Sequence, residues 1–157
     1  MKNFIPGMME GEAMTKLFEK ILVATDGSEK NQPAVRKALE IARTCGSAVY
    51  AIYVIDETPL ASAQAEVLTA DVYRRLQDEG EKAIQLVKRM ADGIQVETFV
   101  LSGRPAHVIT EFAVKNRVDL IVVGSQGKSG LERLLLGSVA ESIIRMADCM
   151  VLVVKSR

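Results

Sequence analysis

Residues 119–138 read DLIVVGSQGKSGLERLLLGS. An apolar run, Asp119 to Val123, meets the glycine-rich stretch Gly124 to Ser138, and a helix-like segment follows from Val139. Strand, glycine loop and helix in that order can hold a phosphate. Glycines allow positive φ and let the backbone approach a ligand with no Cβ in the way, so that N–H groups can point into one concavity. The helix after Gly137-Ser138 adds unpaired N–H groups and a partial positive charge at its start. Two other phosphate loops are excluded by spacing. Gly127-Lys128-Ser129 imitates the end of a P-loop, but the glycine needed five residues earlier falls on Val122. Gly124, Gly127 and Gly130 read GxxGxxG, not the GxGxxG of dinucleotide-binding folds. A structural alternative stays open, because Ser138-Val-Ala-Glu141 is also an S-x-x-E capping box.

Outward from this loop, short apolar runs alternate with helical spacings. Ile21 to Ala24 reads as a buried strand stopped by the turn Thr25-Asp26-Gly27-Ser28. Val35, Ala38, Leu39 and Ala42 lie at helical spacing before Gly46, a residue suited to a left-handed helix end. Ala48 to Ile55 is apolar on both faces, as a strand covered on both sides would be. A long helix follows from Leu68 through Met90, with Gly80 as a candidate kink. Val96, Phe99 and Leu101 mark a third strand, and Pro105 opens a helix carrying Val108, Ile109, Phe112 and Ala113. Leu120 to Val123 is the fourth strand. Ile143, Ile144 and Ala147 line a last helix, and Met150 to Val154 is the fifth strand. This βαβαβαβαβ order predicts an α/β fold, an open parallel sheet with helices on both faces. Residues 1–15 lack clean periodicity and are expected to form a flexible arm, with a single domain over 16–157.

Composition narrows the function. The 157 residues are 48% hydrophobic and 25% charged, within the range of one soluble globular domain. Twenty basic residues balance twenty acidic ones, and aromatics are 4% with no Trp, which argues against a nucleic-acid partner. No apolar run approaches the ~20 residues of a membrane helix, and the mixed Met1 to Gly11 stretch is unlike a signal peptide, so no membrane partner and a cytoplasmic location are expected. Cys45 and Cys149 lack metal-ligand spacing and read as buried free thiols. His107, the single histidine, has no nucleophile or metal motif beside it and reads as structural.

The pattern G-x2-G-x9-G-[ST] is present at Gly124, Gly127, Gly137 and Ser138. With the opening ILVATDGS at residues 21–28 and the closing VLVVK at residues 151–155, the chain resembles the nucleotide-binding branch of the universal stress protein family over Lys20 to Lys155. The resemblance implies a Rossmann-like sheet of order 3-2-1-4-5, like that of the adenine nucleotide alpha hydrolases, with the order reversing between the first and fourth strands. Ligands of open α/β sheets bind at such reversals. There Asp26 would accept from ribose hydroxyls, the backbone near Val54 would read the adenine edge, and the loop with Ser138 would hold phosphates. The family's site positions fall on Ala24, Thr25, Asp26, Val54, Gly124, Gln126, Gly127, Gly137, Ser138 and Val139. Many members carry Pro at the place of Ala24 and His or Arg at that of Gln126. Lys128 and Arg133 could offset phosphate charge, while Glu141 would repel it unless turned away. Asp26 can equally form an Asx turn with the residues after it, and both roles are open to it.

These features predict a cytoplasmic stress-response protein that binds ATP, or AMP or ADP, with Mg or Mn held by the phosphates. They also predict a homodimer through the edge strand Met150 to Val154 and a further protein partner of unknown identity. No catalytic base is evident, so little or no hydrolysis is expected. The alternatives are a slow ATPase or self-phosphorylating enzyme, and a stress protein that binds no nucleotide and acts through its dimer surface.

Overall fold

In a computed structural model, residues 15–57, 70–127 and 136–156 are described. Strand β1 (Lys20–Ala24) leads through a short 3-10 turn (Glu29–Asn31) into α1 (Gln32–Cys45), followed by β2 (Ala48–Asp56) and α2 (Ala70–Met90). Next come β3 (Val96–Gly103), α3 (Pro105–Asn116), β4 (Leu120–Gly124), α4 (Ser138–Met146) and β5 (Met150–Val154). All strand pairs are parallel, and the sheet order is β3-β2-β1-β4-β5. This is the 3-2-1-4-5 order implied by the family resemblance.

The central strands are apolar on both faces because each face is covered. Ile21 and Val23 of β1 join Val35, Ala38 and Leu39 of α1 and Val87 of α2 on one side. Leu22, Ile121 and Val123 join Ile109 and Ala113 of α3 and Ile143 of α4 on the other. Ile21, Leu22, Ile121 and Ile143 are fully buried; burying such a side chain contributes about 1.5–3 kcal/mol, which favours central strands without polar positions. Tyr50, Phe99 and Phe112 pack as a trio with centroids 4.8–6.1 Å apart and bind α3 to β2 and β3.

Helix ends follow local chemistry. Gly46 closes α1 in the left-handed conformation (φ 66°), and Pro105 starts α3 where its missing N–H costs nothing. Four expectations are corrected. α2 runs unbroken through Gly80, where an added Cβ would lie 2.8 Å from both Tyr53 and Val100. Gly80 therefore marks close packing on the sheet and not a kink. Ile144, expected on the buried face of the last helix, is 48% exposed, since Ala140 and Ile143 make the inner stripe. Cys45 and Cys149 are free but only half-buried. Partial burial pushes the Cys149 thiol up, so it stays protonated and unreactive near neutral pH. Among the described residues, Gly124, Gly127 and Gly137 do not adopt positive φ, unlike Gly27, Gly46, Gly93 and Gly103.

Two carboxylate contacts at the sheet's amino edge set the register that matters for the site. Asp119 Oδ2 accepts the N–H groups of both Glu19 and Lys20 at 2.8 Å, and the Asp119 N–H reaches the Lys20 carbonyl at 2.9 Å. β1 and β4 then run in step, Ile21 beside Leu120 and Val23 beside Val122, so both strands end at the same level. No helix among the described residues is long and apolar enough to cross a membrane.

Candidate functional site

β1 ends in the turn Thr25 to Ser28, and its atoms are almost all used locally. The Thr25 N–H donates to the Ile52 carbonyl at 2.9 Å, and Thr25 Oγ1 accepts the Gly27 N–H at 3.1 Å. Asp26 Oδ1 accepts the backbone N–H of Ser28 at 2.9 Å and its hydroxyl at 2.7 Å. The Asx turn is thus formed, as the alternative reading of Asp26 foresaw. Only one of its two oxygens is consumed. Asp26 Oδ2 is buried without a hydrogen-bond partner and lies 3.6 Å from where a Cβ on Gly127 would stand. An unsatisfied buried acceptor costs about 1–3 kcal/mol, so such an atom is expected where a ligand donor completes it.

The facing wall is the glycine loop. Gly124 ends β4 beside Val154, and the Ser125 N–H donates to the Val154 carbonyl at 2.8 Å. The loop closes on itself, because the Gly137 N–H donates to the Ser125 carbonyl at 2.8 Å. A Cβ on Gly137 would stand 3.2 Å from that carbonyl and 3.8 Å from the Gly127 N. These glycines serve close approach of two backbone segments, in ordinary conformations. Gln126 Oε1 accepts from Ser156 at 3.4 Å. Lys128 and Arg133 fall outside the described residues.

α4 begins beside Gly127. Its N-cap is Gly137, with no side-chain cap, and Ser138 is already helical. The capping box that Ser138 and Glu141 could have formed is absent; Glu141 turns along the helix to Arg145 at 2.6 Å, and only its N–H returns, to the Gly137 carbonyl at 2.9 Å. The repulsion expected from Glu141 is thereby offset, and the first-turn N–H groups of Ser138 and Val139 are left for another acceptor. Val139 is 39% exposed.

Val54 completes the edge. The Ile52 carbonyl points to β1, where it meets Thr25, and Val54 is two residues on, so its backbone polar groups point the same way at the level where β1 has ended. Ala24, Thr25, Asp26, Gly124, Gln126, Gly127, Gly137, Ser138 and Val139 therefore gather at the carboxyl ends of β1 and β4, with Val54 at the neighbouring strand. The arrangement offers a carboxylate oxygen on one wall and helix N–H groups on the other, which suits a molecule with hydroxyls at one end and an anion at the other. His107 lies exposed on α3, 3.7 Å from Glu111. A surface cleft of about 610 Å³ lies at the opposite edge, near the amino ends of the strands, lined by residues including Lys16, Glu19 and Arg43; ligands of open α/β sheets bind at the carboxyl ends instead.

Sequence reasoning missed Asn31. It is 5% exposed, its Nδ2 donates to the Ala24 carbonyl at 3.3 Å, and its Oδ1 is buried with no partner. In SEKNQPA it looks like one more polar residue entering a helix, and no periodicity marks it.

Residues 17–155 match the universal stress protein family. The chain belongs to that family. A curated universal stress protein of Methanocaldococcus jannaschii, MJ0531, is 47% identical over 141 residues, 88% of this chain and 83% of that protein. Among solved structures, MJ0577 of the same organism, first described as hypothetical and also a universal stress protein, superposes with a TM-score of 0.77 at 31% identity, covering 88% of this chain and 96% of that one. A universal stress protein solved in complex with cAMP superposes at 0.64 with 25% identity, over 89% and 98% of the two chains. The universal stress protein fold thus places Asp26 and Gly127, far apart in sequence, on facing sides of one crevice.

Proposed function

We propose that this universal stress protein binds an adenine nucleotide, ATP foremost with ADP and AMP as related ligands, and acts as a nucleotide-dependent switch in a stress response. The observation that carries this reading is the buried, unpaired Asp26 Oδ2 facing Gly127 across the crevice. A ribose hydroxyl supplies the missing donor, and the N–H groups at the start of α4 meet the phosphates. Support comes from a structural relative that was solved with cAMP. In this reading the backbone at Val54 takes the adenine edge, Ala24 and Thr25 shape the floor, and Gly124, Gln126, Gly127, Lys128, Gly137, Ser138 and Val139 surround the phosphates. No group of three or more His, Cys, Asp or Glu among the described residues could hold a metal by itself. In this reading Mg or Mn arrives held by the phosphates.

Hydrolysis is slow or absent in this reading, since Asp26, the carboxylate that Ser28 orients in the crevice, is assigned to the ribose hydroxyls and not to a water at the phosphates. Titration with ATP, ADP and AMP by calorimetry, alongside phosphate release, tests both halves. Saturable binding with turnover well below about one per second is the expected result; ordinary enzyme turnover at or above that rate would show an ATPase instead.

The protein acts in the cytoplasm with one domain over 16–157, the expected arm lying, but for residue 15, outside the described residues, and it pairs as a homodimer through β5 before meeting a further protein partner. β5 bonds only to β4 among the described strands, and its Met150 is 62% exposed. Leu152 packs inward against the α1 side, so a charge there would disturb the fold as well as the edge. Met150→Lys should shift a dimer toward monomer in light scattering at micromolar concentration with the melting temperature of the monomer little changed. A monomeric parent would remove the dimer.

A further inference from the structure

Two buried side-chain atoms among the described residues lack a hydrogen-bond partner, Asp26 Oδ2 and Asn31 Oδ1. Both are acceptors, and both sit on the connection between β1 and α1. Buried acceptors are rarely left unsatisfied, and two in one connection point to a common missing donor source. Asn31 holds the N-cap position of α1, where asparagine is favoured because its oxygen can take a helix N–H, yet it makes no such bond. Its amide is turned by the Ala24 carbonyl instead. That carbonyl can accept only from Nδ2, at 3.3 Å, and the contact leaves Oδ1 on the other side of the carboxamide.

The same side chain fills the space beneath the loop. A Cβ at Gly124 would stand 3.1 Å from Asn31 Nδ2 and 3.4 Å from the Gln126 carbonyl. Gly124 must therefore be small because Asn31 lies under it, and not because of a positive φ. Asn31 thus stands as a wedge between the end of β1 and the first turn of the glycine loop.

We propose that Asn31 is a positioning residue of the nucleotide site: it sets the height of the Gly124 to Gly127 turn against Asp26, and its Oδ1 receives an O–H donor that arrives with the ligand. The proposal rests on the adenine-nucleotide reading above and deepens it. The O–H group belongs either to a ribose hydroxyl or to a water bound with the nucleotide; both present the same chemistry to an amide oxygen.

The test uses the full chain, with ATP, 2′-deoxy-ATP and 3′-deoxy-ATP titrated against the parent, Asn31→Ala, Gly124→Ala and the double variant. Asn31→Ala should weaken ATP about fivefold or more, the loss of one neutral hydrogen bond. Gly124→Ala should weaken ATP about tenfold in the parent but within about twofold in the Asn31→Ala background, because the obstructing amide has gone. If a ribose hydroxyl is the donor, the parent prefers ATP over one deoxy analogue and Asn31→Ala loses that preference; if water is the donor, all three ligands weaken equally. A residue that only fills space would lower the melting temperature and leave the dissociation constants and the Gly124 coupling unchanged, which would overturn the proposal. Should Asn31→Ala fail to fold, Asn31→Ser carries the same comparison, since its short hydroxyl cannot span to the Ala24 carbonyl and fill the wedge together. A parent that binds ATP with unaffected Asn31 variants removes this role alone. A parent that does not bind ATP removes the underlying reading with it.

Discussion

Gly127→Val should weaken ATP binding by at least about tenfold while leaving the protein folded. Gly127 is not in a left-handed conformation, and among the described residues a Cβ there meets Asp26 Oδ2 alone, at 3.6 Å, an ordinary contact. The fold therefore admits a side chain. The crevice does not, because a branched side chain projects into the gap between the loop and the carboxylate and displaces whatever donor Asp26 would hold. Charge-assisted hydrogen bonds contribute about 1.5–3 kcal/mol each, and losing one corresponds to roughly tenfold or more in affinity. Calorimetry gives the affinity, and thermal unfolding gives the control. Equal dissociation constants for parent and variant would detach the loop from the ligand; a melting temperature reduced by more than about 5 °C would show that the change acts on the fold first.

Gly27→Val, one residue past Asp26, should do the reverse and act chiefly on stability. Gly27 has φ +75°, and a Cβ there would stand 2.9 Å from the Ala83 Cβ of α2. A left-handed non-glycine residue costs roughly 1–2 kcal/mol, and forcing atoms into a packed contact adds about 1–3 kcal/mol. Together these come to about 2–5 kcal/mol. At roughly 2–4 °C per kcal/mol for a domain of this size, the melting temperature should fall by about 10 °C. A fall of less than about 2 °C would mean that the turn shifts away from α2 at little cost. The two glycines flank the same carboxylate, yet a Cβ on Gly127 would meet Asp26 at an ordinary distance, while one on Gly27 would run into the helix α2.

The difference between them shows how far the sequence alone could be read. Alternating apolar runs and helical spacings made the five strands and the helices legible, because burial on two faces leaves a continuous apolar run and burial on one face leaves a 3.6-residue period. Pro105 and Gly46 announced helix boundaries for reasons contained within a few residues. The candidate site rested on a four-position pattern whose spacing can be read without any knowledge of contacts, and its described residues gather at the carboxyl ends of β1 and β4. Gly80 misled, since a glycine inside a helix signals weakness locally, and only the approach of Tyr53 and Val100 explains it. The S-x-x-E pattern misled in the same way: Ser138 is already inside the helix it was to cap, and Glu141 meets Arg145.

By itself, then, the sequence determined what short-range physics records: which segments are strands and which helices, where they start and stop, and that a glycine pattern lies between the fourth strand and the last helix. Family resemblance, not periodicity, supplied the strand order. Only the tertiary structure decided that Asp26 keeps one oxygen unpaired opposite Gly127, that Gly124 is small because Asn31 lies beneath it, and that Ile144 faces outward. Each of these depends on segments from distant parts of the chain meeting at fixed distances. An unpaired atom or a filled space is a property of that meeting, set by the β1–β4 register that Asp119 holds at the far edge of the sheet.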